Sequence, residues 1–122
     1  MTRAMLILAT LFCCAIASAQ PNVPVTEARA IELARSAWQS HLSALPGADR
    51  SATPRATLTT GAELAREARE HGWEHLRGTE ADVTRTTRVW SVMFPARMTG
   101  TAVVAVDATR ERVVAVYRIP EG

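Results

Sequence analysis

The residues that decide the fold run from 101 to 119 and read TAVVAVDATRERVVAVYRI. Valine dominates two apolar runs, Thr101–Asp107 and Arg112–Ile119, and β-branched residues are typical of strands. The short link 108–111 joins the two runs, and so short a connection favours antiparallel pairing. This stretch therefore predicts a β-hairpin.

A further strand is predicted immediately before this hairpin. Residues 83–94 are rich in β-branched and aromatic side chains, and Trp90, Val92 and Phe94 share one face at the two-residue period of a strand. Residues 95–100 provide the turn into the hairpin. We expect the three strands to form an antiparallel meander.

Residues 26–45 predict an amphipathic helix, because apolar residues recur there at steps of three and four. Thr26 can cap its start, and Pro46-Gly47 ends it. The short Thr-rich stretch 56–60 is a candidate edge strand. The predicted fold class is α+β: an N-terminal helix packed on a three- to four-stranded antiparallel meander sheet.

A helical insert, residues 61–78, is predicted before the sheet. Thr60 and Glu63 have the spacing of a capping box, and Gly72 interrupts or ends the helix that follows. The valine-rich strands are apolar on both faces, whereas one helix covers only one face of a sheet. Either the helix of this insert or another molecule must cover the other face.

Residues 1–19 have the three parts of a secretory signal peptide: Arg3, an apolar run over 5–16, and the cleavage pattern Ala17-Ser18-Ala19. We expect cleavage after Ala19 and a periplasmic or secreted product. Residues 20–122 are then a single domain.

Both cysteines, Cys13 and Cys14, lie in the predicted signal peptide, so the exported chain would hold no disulfide. The alternative is lipidation at one of these cysteines. Phe12 stands before Cys13, where a lipoprotein signal carries a small residue.

Charge argues against a nucleic-acid partner. The 122-residue chain has a net charge of +2, and all 14 of its basic residues are arginine. Loss of Arg3 with the signal peptide leaves 13 arginines against 12 acidic residues, a net charge near +1. Nucleic-acid binders show clustered cations, which this sequence lacks. We also expect no membrane association after cleavage.

No motif predicts catalysis, a metal or a cofactor. His71 and His75 stand four residues apart, but Gly72 separates them and no third ligand is evident. No serine lies in a nucleophile elbow, and no glycine-rich phosphate loop is present. We expect a protein that is not an enzyme.

One group of residues is a candidate surface for a protein partner: Arg66, Arg69, Trp73 and Arg77. Tryptophan and arginine are preferred at the energetic centres of protein interfaces. The alternative is an ordinary solvated helix with local ion pairs, such as Glu63 with Arg66.

Four segments resemble the PepSY domain, a small α+β module of exported proteins: Thr26–Ala34, Trp90-Ser91-Val92, Ala102–Ala108 and Val113–Val116. The resemblance implies a cystatin-like arrangement and a role in binding, including the inhibition or control of proteases. The chain departs from the PepSY pattern at Thr109-Arg110-Glu111, where the family usually carries Thr-Gly, and in its insert. It is also similar to immunity-type proteins with a nuclear-transport-factor-like fold.

Three functions remain open from the sequence. The first is an exported, non-catalytic module that binds or inhibits a protein partner in the cell envelope, such as a protease. The second is a small-ligand or enzymatic domain with a pocket between helix and sheet, and the third is a homodimeric structural protein. A core filled by Trp38, Trp90 and Phe94 would favour the first, whereas a deep pocket with acidic or histidine side chains would favour the second.

Overall fold

The computed structural model describes residues 23–40, 53–96 and 100–120. The predicted signal peptide and the predicted end of the first helix at 46–47 lie outside these residues. In chain order the elements are α1 (Glu27–Gln39), β1 (Arg55–Thr60), α2 (Gly61–Glu70), β2 (Glu74–Arg77), α3 (Glu80–Arg85), β3 (Arg88–Ala96), β4 (Gly100–Asp107) and β5 (Arg112–Ile119).

The strands pair antiparallel in one sheet with the order β1-β3-β4-β5-β2. The predicted α+β class is confirmed, as are the meander of β3, β4 and β5 and the edge position of β1. Thr26 caps α1 as predicted, because its hydroxyl accepts a hydrogen bond from the backbone N–H of Arg29 at 3.2 Å.

The first face of the sheet packs against α1. Trp38 of α1 stacks on Phe94 of β3 with 6.5 Å between ring centroids. The indole N–H of Trp90 donates to the backbone oxygen of Val25 at 2.8 Å, which ties the lead-in of α1 to the sheet. Trp38, Trp90 and Phe94 are all buried in this core, together with alanines of α1 and valines of β3 to β5.

The second face is covered by α2 and α3. Leu64, Ala65 and Ala68 of α2 and Val83 of α3 are buried against it. Their partners on the sheet are Val89, Val103, Ala105, Val114, Ala115 and Tyr117. The sequence left open whether the helix of the insert or another molecule covers the second face. The described residues of the chain itself cover both faces.

An irregularity in the pairing of β4 with β5 adjusts the second face. Ala105 pairs with Ala115, but Val106 pairs with Val113, so Val114 has no cross-strand partner. This is the arrangement of a β-bulge. As a result Val114 and Ala115 are both buried in the core under α2 and α3.

Residues 83–87 correct one prediction, because they do not belong to a strand. Thr79 and Asp82 form a complete capping box, and α3 begins at Glu80. The β-branched residues in this stretch predict a strand, but the box satisfies the first backbone N–H groups of a helix instead. The strand β3 consequently begins at Arg88.

The insert also differs from its prediction. Besides α2 it contains the edge strand β2, which pairs with β5. Thr60 accepts from the backbone N–H of Glu63, but the Glu63 carboxylate binds Arg66 at 2.7 Å, so only half of the predicted capping box forms. Within the described residues, no helix is long and apolar enough to cross a membrane.

We predict that Gly61→Ala destabilises the protein more than Gly72→Ala. A Cβ at Gly61 would overlap the backbone oxygens of Val83 and Thr86. The Thr86 oxygen accepts a hydrogen bond from the Gly61 N–H at 3.1 Å and so joins α2 to the end of α3. Overpacking of this kind costs about 1–3 kcal/mol or more. A Cβ at Gly72 meets open space, so only the positive φ of 65° is strained, at about 1–2 kcal/mol.

Urea denaturation of both variants measures this difference. Equal losses of unfolding free energy would contradict the close contact between α2 and α3.

Candidate functional site

The C-terminal end of α2 positions Trp73. Gly72 has a φ of 65°, its N–H donates to the Arg69 oxygen, and the Trp73 N–H donates to the Ala68 oxygen at 2.9 Å. These bonds form a Schellman motif, in which the residue after the glycine turns back toward the last turn of the helix. The half-buried Trp73 therefore lies beside Ala68, and the helix ends before Gly72 as predicted.

A cavity of about 250 Å³ opens at this turn, and we call it the Trp73 cavity. Two methyl groups of α2, the rings of Trp73 and His75, and a pair of charged side chains surround it. The charged pair is Arg69 with Glu80, whose atoms are 2.6 Å apart. The complete lining is Ala65, Ala68, Arg69, Gly72, Trp73, His75 and Glu80.

The Arg69–Glu80 pair positions side chains rather than stabilising the fold. Both side chains are about half exposed or more, at 62% and 46%. Ion pairs that exposed contribute about 0–1 kcal/mol. The pair nevertheless links α2 to the start of α3 and holds one positive and one negative group in the cavity wall.

Tyr117 of β5 lies against the aromatic wall of the cavity. Its ring is 5.6 Å from Trp73 in an edge-on arrangement and 4.6 Å from His75, centroid to centroid. The side chain is fully buried, and its hydroxyl has no hydrogen-bond partner among the described residues. Burial, with a smaller contribution from the Glu80 charge, raises the pKa of Tyr117 to about 12.

The structure brings together two of the four predicted partner-binding residues. Arg69 and Trp73 line the same cavity. Arg66 is exposed on α2 and pairs with Glu63, as the alternative interpretation of this helix expected. Arg77, on β2, lines a different cavity of about 400 Å³ beside α1.

Three residues of the site were not singled out from the sequence as partner-binding: His75, Glu80 and Tyr117. Tyr117 lies two residues after Ala115 in β5, on the second apolar face of the strand. The two-residue period of the strand could therefore have predicted its burial. Glu80 gave no signal, because its contact with Arg69 spans eleven residues and depends on α3.

The histidines lie in different elements. His71 is the C-terminal cap of α2, and His75 is in β2, so they do not share a helical face. In the described ranges, no three potential metal-binding side chains come together.

Comparisons of the chain with protein-family models, with curated proteins and with solved structures each give no match. The resemblance to PepSY domains therefore stays a prediction.

We predict that Tyr117 ionises late. It is the single tyrosine of the chain, so the rise in near-ultraviolet absorbance on phenolate formation belongs to this residue alone. In the folded protein the phenolate should form near pH 12, whereas in concentrated urea it should form near the ordinary value of 10.0. Because the folded pKa is the higher one, the contribution of Tyr117 to the unfolding free energy should be constant below about pH 10 and fall as the pH rises toward 12. Equal midpoints in both solvents would show that the hydroxyl is solvated.

We predict opposite outcomes for two substitutions by phenylalanine. Tyr117→Phe removes a buried hydroxyl without a described partner, so the unfolding free energy should stay unchanged or rise by about 1 kcal/mol. Trp90→Phe removes the hydrogen bond to Val25 as well as ring volume, so it should lose at least about 1 kcal/mol. Thermal or urea unfolding measures both. A clear loss of stability in Tyr117→Phe would reveal a partner for the hydroxyl.

Proposed function

We propose that this protein is an exported, non-catalytic binding module that recognises a protein partner through the Trp73 cavity. The observation that carries the proposal is the difference in burial among the three tryptophans. Trp38 and Trp90 are buried in the core under α1, at 4% and 7% exposure, whereas Trp73 stays half-buried at the mouth of a cavity. Partly exposed tryptophan beside arginine is the composition of an interface hot spot.

The size of the cavity supports a protein partner over a small molecule. Pockets for small ligands measure about 300–1,000 Å³. At about 250 Å³ the Trp73 cavity is smaller than that range and suits a single side chain. A partner could insert one apolar or aromatic side chain between the α2 methyl groups and the Trp73 ring, while Arg69 and Glu80 pair with charges around it.

The core under α1 argues for the same choice. Its space is filled by Trp38, Trp90 and Phe94, and Trp38 stacks on Phe94. This filled core supports a binding module rather than a ligand or enzyme pocket between α1 and the sheet. A homodimer is also not required to cover the strands, since α2 and α3 do so.

The resemblance to PepSY domains makes a protease of the cell envelope the first partner class to test. Export itself rests on the predicted signal peptide.

We predict that a double variant, Arg69→Ala with Trp73→Ala, loses its partner. The full chain would carry a C-terminal tag, be expressed in the native host, and be cross-linked before recovery and mass spectrometry. One partner should be recovered in stoichiometric amount with the unchanged protein. It should be lost from the double variant, because the side chains of Arg69 and Trp73 both line the proposed contact.

The matched control is the double variant Arg66→Ala with Arg77→Ala. It removes two of the same candidate residues, which lie outside the Trp73 cavity, and should retain the partner. Affinity measured with the purified partner should fall at least about tenfold for the first double variant only. Equal retention of the partner by both double variants would contradict the proposed site, and recovery of no partner by the unchanged protein would contradict the proposed function.

A further inference from the structure

Another cavity lies at the end of the sheet away from the Trp73 turn, between the C-terminal end of α3 and the β4–β5 turn. Its volume is about 450 Å³, within the range of small-ligand sites. We call it the arginine cleft. Every lining residue is polar or charged: Asp82, Arg85, Thr86, Thr87, Asp107, Thr109, Arg110 and Arg112.

Both carboxylates of the cleft are engaged in local structure. Asp82 accepts from the backbone N–H and hydroxyl of Thr79 and from Arg85, and these hydrogen bonds hold the pKa of Asp82 below its ordinary value. Asp107 is only 5% exposed and accepts from the N–H and hydroxyl of Thr109, which is typical of an aspartate beside a turn.

Arg110 and Arg112 have no such engagement. Among the described residues, no carboxylate lies within ion-pair distance of either guanidinium. The acidic residue between them, Glu111, has a positive φ of 48° and pairs with Arg29 of α1 at 3.0 Å. Its carboxylate is therefore held by α1 and does not line the cleft.

Arg85 adds a third cation at the C-terminal end of α3. Its side chain donates to the Ala81 oxygen and to Asp82, so the guanidinium is anchored at the end of α3. Thr87 contributes a hydroxyl at the cleft wall. Three arginines against two aspartates leave a formal charge of +1. One Asp82 oxygen accepts from Thr79 at the cap of α3 and the other from Arg85, while Asp107 accepts from Thr109 in the β4–β5 turn.

We propose that the arginine cleft binds a phosphate group. Guanidinium groups form paired hydrogen bonds with phosphate oxygens, and phosphate carries enough charge to pair with more than one arginine. Arg110 and Arg112 are the binding residues, Arg85 flanks them, and Thr87 is a further donor. This site is separate from the Trp73 cavity and does not depend on the proposed protein partner.

The test is a titration of the isotope-labelled protein with inorganic phosphate at low ionic strength, followed by NMR. Amide shifts should concentrate at Thr87, Thr109 and Arg110. The double variant Arg110→Ala with Arg112→Ala should weaken binding at least about tenfold. The control, Arg35→Ala with Arg55→Ala, removes equal charge from exposed residues outside the cleft and should change affinity less than about twofold.

Equal weakening by both double variants, or shifts spread over the surface, would overturn the proposal, because either result indicates diffuse electrostatic attraction. Circular dichroism of each variant checks that it is folded.

Vesicles containing phosphatidate identify the source of the phosphate group. Binding of these vesicles that is lost in Arg110→Ala with Arg112→Ala would assign the site to a lipid headgroup. Binding of inorganic phosphate without vesicle binding would assign it to a free or sugar phosphate. Absence of binding to either probe would overturn the proposal.

Discussion

The burial of β4 on both faces is the constraint from which the rest of the structure follows. Every side chain from Ala102 to Val106 is at most 1% exposed. Burial of a valine side chain contributes about 1.5–3 kcal/mol, so exposure of either face would remove much of the stability of a domain this small. The chain meets this constraint with α1 on the first face and with α2 and α3 on the second.

The helices on the two faces of the sheet have different consequences for function. On the first face, Trp38 and Trp90 fill the space between α1 and the sheet. On the second face, α2 presents alanines and a single buried leucine, and the chain must turn sharply at Gly72 to reach the edge strand β2. That turn leaves Trp73 half-buried beside a cavity, so the same segment that completes the core also provides the proposed contact with a partner.

Sequence patterns were sufficient where one period dominated. The strands β4 and β5 were predicted from their valine runs, and the end of α2 was predicted from Gly72. The short helix α3 was missed because its β-branched residues favour a strand, while the capping box of Thr79 and Asp82 decides the helix locally. The edge strand β2 was missed because it is short and polar.

The composition of the site was harder to predict than the fold. The four candidate partner-binding residues were grouped because they lie within twelve positions of the sequence. Arg77, however, is the last residue of β2 and lines a different cavity from Arg69 and Trp73. Glu80 and Tyr117 join the site through tertiary contacts that no spacing encodes. NMR cross-relaxation from the Tyr117 ring protons tests the central claim most directly, that the turn after α2 closes the second face. We expect strong contacts from the Tyr117 ring to the rings of Trp73 and His75, whereas a tyrosine ring with contacts to neither would contradict this closure.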